Sequence, residues 1–314
     1  MMIKDRIGTM NLQEIRYLVA VAEHRHFGRA AEACNVSQPT LSSQIRKLED
    51  ELGVTLLERT NKRVNLTPVG GQILLHAQRA LAETGLMESV ARAARDPLSG
   101  PLKLGVIPTL APYLMPMILK PLKQAFPGLT LELWEDQTRS IEDGLRNHRL
   151  DAALLATEPE TSEITDLALF DEPLLAALPA HHRFAAAKRV SEEALRDELL
   201  VLADGHCLAT QALAACGRRP GQRANRMHGT IQASMQASTL ETLVNLVAAG
   251  YGATLIPALA VDSFARHHVV FRPLQGKSSR TIRLASRPGF PRPQALRALE
   301  KVIRRAVGSQ VRLR

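Results

Sequence analysis

Cysteine is scarce in this sequence, with three in 314 residues. So few cannot form a disulfide scaffold. They point to a reducing compartment, where any disulfide is a transient, redox-linked event. Long apolar runs are also missing: no stretch of about 18 residues is both apolar and uncharged, which argues against a membrane span. The first nine residues have no apolar segment of the signal-peptide kind, and Met10 is a candidate start. A cytoplasmic location is expected. There is no Cys-x-x-Cys, and the histidine pairs His181-His182 and His267-His268 are chain neighbours, which rarely converge on one ion. No metal site and no cofactor are expected. Internal repeats and low-complexity tracts are absent.

Apolar residues make up 45% of the chain and charged residues 23%, the composition of a soluble globular protein with two or three domains. The net charge is +9, which suggests nucleic acid. Its distribution weakens that argument. Residues 1–99 carry a net +2, residues 100–276 a net −3 and residues 277–314 a net +10. A solvated basic helix is the preferred reading of the last segment.

Residues 10–67 read as a helical head. Leu12, Ile15, Val19 and Ala22 repeat at helical spacing, and an Ala-rich stretch follows from Gly28 to Cys34. After a turn at Asn35-Val36, Ser37 is a good N-cap and Pro39 sits in the first turn of a third helix. That helix carries a Leu41, Ile45, Leu48, Leu52 stripe and ends at Gly53. Leu56 to Thr67 reads as a two-stranded wing with Asn61-Lys62 at its tip. Thr67-Pro68 opens a long helix over residues 68–96. Ile73, Ala77, Ala80, Thr84, Met87, Ala91 and Ala94 alternate steps of four and three, as in a coiled-coil seam. So thin a stripe needs a partner, and a second copy of the helix predicts a dimer. Packing on its own chain is the other reading.

Residues 101–314 alternate short apolar runs with helical patterns. Strands are expected at Leu102–Ile107, Leu129–Trp134, Asp151–Ala156, Leu174–Leu178, Leu199–Leu202, Ala253–Ile256, Val269–Phe271 and Thr281–Ala285. Helices are expected over about 112–125, 138–147, 208–215, 239–249 and 293–306. The alternation favours an α/β domain with mainly parallel sheets, split into two subdomains around a cleft.

The helix opening at Ser37 has a buried stripe and an opposite face with Ser43, Arg46, Lys47 and Asp50. Short hydroxyls let a helix approach base edges, and arginine pairs with guanine or phosphate. Arg59, Lys62 and Arg63 in the wing can neutralise phosphates. Pattern alone leaves this about level with an ordinary surface helix. The segments Phe27-Gly28-Arg29-Ala30-Ala31, Val36 to Ser42, Ile45 to Leu52, Leu57-Glu58-Arg59 and Leu66-Thr67-Pro68-Val69-Gly70 closely resemble the LysR-type transcriptional regulators. The resemblance extends over the whole chain in layout. It implies an all-α winged helix-turn-helix, a long linker helix, and an α/β effector domain of two Rossmann-like subdomains like periplasmic binding proteins. It also implies contacts to double-stranded promoter DNA from Ser37, Gln38, Pro39, Thr40, Ser42, Ser43 and Arg46, with Arg59 and Lys62 on the backbone. A dimer through the linker helices, a tetramer on DNA and RNA polymerase as a partner are implied in turn.

In the effector half, Leu208 to Ala215 has high helix propensity. This places Cys207 at a helix N-terminus, where free amides and the dipole favour thiolate. His206 beside it can supply a hydrogen bond or a positive charge. Cys216 lies nine residues on, about 13.5 Å along a helix at about 1.5 Å per residue and on the opposite face. A disulfide needs Cα atoms about 4.4–6.8 Å apart, so this helix and a bond across it exclude one another. By spacing alone, two small apolar fillers are the commoner case.

Gly205-His206-Cys207-Leu208 with Cys216, together with Pro108 to Tyr113, Ser238 to Leu243 and Val247 to Gly250, resembles the peroxide-responsive members of the same family. The resemblance implies Cys207 as the peroxidatic thiol and Cys216 as its resolving partner. Thr109, Thr138, His206 and, more weakly, Arg280 would form the hydrogen peroxide pocket, and a thiol reductant would reset the switch. Those members usually read Cys-Leu-Arg-Asp-Gln, whereas this chain reads Cys207-Leu208-Ala209-Thr210-Gln211, so a cation and a carboxylate near the sulfur are missing. Two other functions compete. One is a regulator that binds a small metabolite anion in the cleft, which has no need of Cys216. The other is a thiol peroxidase, which has no need of a recognition helix. A regulator that is not an enzyme is expected.

Overall fold

The computed structural model describes residues 10–59, 64–203, 205–217, 237–308 and 311–314. The chain divides into two compact units at Ala91/Arg92, inside the long helix.

In the first unit, α1 (Leu12–His24) begins at a capping box in which Asn11 and Glu14 satisfy each other's backbone amides. Then come α2 (Phe27–Ala33) and α3 (Gln38–Leu52). Leu41, Ile45 and Leu48 of α3 pack on Leu18 and Val21 of α1 and Ala30 of α2, all essentially without exposure. Strands β1 (Leu57–Arg59) and β2 (Val64–Leu66) form the antiparallel wing. Glu49 Oε1 fastens it to α3 by accepting from the amides of Leu56 (2.8 Å) and Leu57 (3.1 Å).

Helix α4 runs Pro68–Arg95. Its expected seam splits in two. Ile73, Ala77 and Ala80 pack, with Leu74 and Leu81, against the head's own core. Met87 (72% exposed) and Val90 (55%) face away from any core. The first half of the helix therefore follows the own-chain reading for these seam residues, and the exposed Met87 and Val90 of the second half, with Leu75 of the first, leave apolar surface for a second copy.

The second unit contains β3 (Gly100–Val106), α5 (Ala111–Ala125), β4 (Leu129–Glu135), α6 (Thr138–Arg146), β5 (Ala152–Leu155), β6 (Thr165–Pro179), α7 (Cys207–Ala215), α8 (Leu240–Ala248), β7 (Thr254–Pro257), β8 (Val269–Pro273), β9 (Ser279–Ser286), α9 (Pro293–Ala306) and β10 (Arg312–Leu313). The strand order is β10-β6-β9-β5-β3-β4, and the far half of β6 also pairs with β7 and β8. There are two lobes with separate cores. One is built on β3, β5, α5 and α9, the other on the far end of β6 with α7, α8 and β7. Among the described strands only β3 with β4 and β3 with β5 run parallel, so the expectation of mainly parallel sheets is corrected. The reason is the traffic between lobes. The chain leaves the first lobe on β6 and returns on β9, and two adjacent strands crossing in opposite senses are antiparallel.

Candidate redox site and nucleic-acid interface

The head presents α3 much as its pattern requires. Ser37 Oγ caps the helix by accepting from Thr40 N at 3.3 Å and lies 2.7 Å from Thr40 Oγ1. Ser43 Oγ donates back to Thr40 O at 2.8 Å. Gln38, Pro39, Thr40, Ser43 and Arg46 are exposed and Ser42 is half-buried. Lys47 departs from expectation. It turns to the fully buried carboxylate of Glu14 at 2.7 Å and ties α3 to α1, so it is not a free cation of this face. Burial alone would raise the Glu14 pKa, but hydrogen bonds from Lys47 and Asn11 outweigh it and hold it below the ordinary value. Arg59 ends β1. Lys62, Arg63 and the wing tip lie outside the described residues.

The second unit brings the residues expected to sense peroxide together where its lobes meet. Helix α7 opens on His206, and Cys207 is its first residue. The Cys207 sulfur is half-buried against the first lobe's core. Cys216 closes the same helix with no exposure, in the second lobe's core. The helix is wound and all three cysteines are free thiols. Leu208, Ala209 and Ala212 are buried, whereas Leu213 is only partly so. Gly205 adopts φ +94°, and a Cβ there would fall 2.3 Å from Gln137 Oε1. Glycine thus lets the turn before Cys207 sit against the segment that opens α6.

Arg280 is the best-anchored group nearby. It and Glu172 are directly opposed on β9 and β6, where β6 leaves one lobe for the other. Both side chains are fully buried, 2.8 Å apart. Arg280 also donates to Thr109 Oγ1 (2.8 Å) and Thr109 O (3.0 Å), and Glu172 Oε1 accepts from Leu259 N (2.9 Å). Since Thr109 Oγ1 accepts from Arg280, its own proton is left to donate elsewhere. Thr138, the first residue of α6, has a buried hydroxyl with no hydrogen-bond partner of good geometry, yet its interaction with Cys207 favours the thiolate.

Two electrostatic findings revise the reading of this segment. Burial pushes the Cys207 thiol up from its ordinary value, against the Arg280 charge, the Thr138 hydroxyl and the amides of the helix N-terminus. Desolvation wins, so the helix end does not by itself give a resting thiolate. Burial also lowers the His206 pKa, which leaves a neutral imidazole near pH 7.

Thr109 and His206 line a cavity of about 370 Å³ with Pro112, Tyr113, Glu135 and Glu241. Cys207 and Thr138 do not line it. Tyr113 packs on both lobe cores and meets Phe264 edge-on at 6.0 Å, and burial holds its hydroxyl up to about 12. One contact was not foreseen as part of the site. Gln211, one turn beyond Cys207, donates through Nε2 to Ala156 O at 2.8 Å, while its buried Oε1 has no partner. It links α7 to the other lobe. The i, i+4 spacing from Cys207 was the available signal.

Comparison with known proteins agrees with this geometry. Residues 12–71 match the bacterial regulatory helix-turn-helix family of LysR type, and residues 95–308 match the LysR substrate binding domain. The chain belongs to the LysR family of DNA-binding transcriptional regulators. Within it the similarity is to OxyR. The chain is 44% identical over 298 residues, 94% of this chain and 95% of the other, to the DNA-binding transcriptional dual regulator OxyR of Escherichia coli. A full-length OxyR variant from Pseudomonas aeruginosa superposes with a TM-score of 0.75 at 38% identity, covering 97% of this chain and 98% of that one. A peroxide-bound OxyR mutant of Corynebacterium glutamicum gives 0.63 at 32% identity, covering 96% and 93%. No described helix is long and apolar enough to cross a membrane.

Proposed function

We propose that this protein is a peroxide-sensing transcription factor, not an enzyme, switched by a disulfide between Cys207 and Cys216. The observation that carries the reading is helix α7, wound, with one free cysteine at each end set against different cores. In the first step the Cys207 thiolate attacks one oxygen of hydrogen peroxide. The O–O bond breaks, Cys207 becomes a sulfenic acid, and hydroxide leaves and takes up a proton. Thr109 and Thr138 hydroxyls and neutral His206 offer hydrogen bonds to the peroxide oxygens as charge develops. Arg280 supplies positive potential without leaving its partners. In the second step Cys216 attacks the sulfenic sulfur, the disulfide forms and water leaves. The second step requires α7 to unwind, because nine helical residues hold their ends about 13.5 Å apart. A cellular thiol reductant resets the pair.

The DNA reading rests on the exposed Gln38, Thr40, Ser43 and Arg46, and dimerisation on the uncovered Met87 and Val90. Contacts to a tetramer partner and to RNA polymerase belong to the same proposal. The cleft argues against a metabolite anion, since Glu135 and Glu241 line it and no lysine or arginine does among the described residues. Non-reducing peptide mapping before and after micromolar-level peroxide tests the reading. A new Cys207–Cys216 crosslink supports it. Treated protein with both thiols free overturns it.

A further inference from the structure

The far end of α7 carries a contact that the switch as described does not use. Arg196 lies in the turn of 3₁₀-helix Glu193–Glu198, on a different segment from α7. Its Nε donates to the carbonyl oxygen of Cys216 at 3.1 Å. Gly217 follows in the left-handed conformation at φ +66°, and a Cβ placed there would sit 2.5 Å from Arg196 Nη2. The guanidinium thus lies on the glycine backbone where the last turn of α7 closes. Its own support is firm. Leu195 is fully buried, and the carbonyl of Ala194 accepts from Arg183 Nη2 at 3.1 Å. Glu192, which opens the turn, holds Gly276 N at 3.1 Å and Ser278 Oγ at 2.8 Å. A helix C-terminus bears unpaired carbonyls and partial negative charge, which a cation stabilises.

We infer that Arg196 is a positioning residue that locks the wound, reduced form of the switch helix at its Cys216 end and so sets the oxidant threshold of the Cys207–Cys216 pair. This rests on the proposed disulfide. Forming that bond unwinds α7, whose last turn carries the Cys216 carbonyl that Arg196 holds, so the lock belongs to the dithiol and is lost in the disulfide. A group that stabilises only the dithiol makes the pair harder to oxidise. Arg196 holds the backbone carbonyl of Cys216, at the far end of α7 from Cys207, so it acts on the equilibrium and on the resolving step, not on the attack upon peroxide.

The test is a thiol–disulfide equilibrium titration of the full-length protein in glutathione buffers, on wild type, R196Q, R196K and G217A. Two protein thiols and one glutathione disulfide exchange for the protein disulfide and two glutathione thiols. R196Q is expected to shift the equilibrium about threefold towards disulfide, about 14 mV more reducing at about 30 mV per tenfold. R196K, which keeps the charge but not the planar donor, should fall between. G217A should shift the same way as R196Q through a separate atom. Hydrogen exchange of the reduced proteins should speed up at residues 212–217 and nowhere else. A wild type that forms no Cys207–Cys216 disulfide overturns the switch itself. A normal wild-type titration with an unchanged R196Q midpoint overturns the lock alone. Exchange accelerated throughout the domain in all three variants also overturns the lock, since it shows an ordinary structural role.

Discussion

At the scale of single residues, the chemistry turns on a sulfur that is not ionised at rest. Cys207 sits at a helix N-terminus, yet burial outweighs the dipole, the Arg280 charge and the Thr138 hydroxyl, and its pKa is raised. Thiolate is the reacting species. Its fraction therefore keeps growing with pH, and the rate of peroxide oxidation should rise about tenfold per pH unit from 6 to 8, with no plateau. Stopped-flow rates across that range check this, and a plateau near pH 6.5 would show a low thiol pKa instead. Thr138 supplies a hydroxyl whose hydrogen-bonding capacity is otherwise unspent. Thr138→Val should slow oxidation of Cys207 by about 10- to 100-fold while leaving DNA binding intact. An unchanged rate would remove Thr138 from the pocket. Arg280 and Glu172 are different in kind, being a fully buried pair at the lobe crossover. Glu172→Gln leaves a buried cation uncompensated and should cost about 3–5 kcal/mol in denaturant unfolding.

At the scale of elements, the proposed switch requires α7 to come apart. It is nine residues long, and among its described side chains Leu208, Ala209 and Ala212 are buried with Cys216 at its end. Burying one leucine contributes about 1.5–3 kcal/mol, a modest barrier to unwinding. Ala214 is exposed, so Ala214→Gly weakens the helix by about 1 kcal/mol without touching either core. The dithiol-to-disulfide step should then run about fivefold faster, which quenched-flow alkylation can measure. The head's elements depend on a buried acid. Glu14 has a pKa below its ordinary value, held there against burial by Lys47 and Asn11. Its contribution is present above the unfolded carboxylate pKa and is lost as pH falls through the lower folded one. Glu14→Gln should cost about 1–3 kcal/mol at pH 7. It should also flatten the acid side of the head's stability curve.

At the scale of the whole molecule, periodicity carried far. The α9 pattern over 293–306 matches the observed helix end to end, and α3 starts and stops at Ser37 and Gly53 as its caps require. What escaped has physical causes. The first half of β6 was not read as a strand, because a bulge between Ala168 and Phe170 breaks the alternation that reveals one. The Leu199–Leu202 run is apolar and extended but forms only single bridges to Ala253 and Ala237. In the site, helix propensity alone marks Cys207 and His206, whereas Thr109, Thr138 and the roles of all four follow from resemblance. The Arg280–Glu172 pairing and the Gln211–Ala156 bond join residues 108 and 55 positions apart, and no local pattern marks such contacts. Lys47 lies on the exposed side as its phase requires, but helical phase gives a side chain's direction and not its reach, and the pairing with Glu14 is not legible from it. In the proposed switch the lobes, the cleft and α7 act as one device, in which a local oxidation becomes a change of shape in the domain that follows the helix-turn-helix head. Hydrogen exchange with non-reducing mass spectrometry, on one sample before and after peroxide, tests this in a single experiment. The expected result is a Cys207–Cys216 crosslink together with lost amide protection across residues 208–215. A crosslink with that protection intact would contradict it.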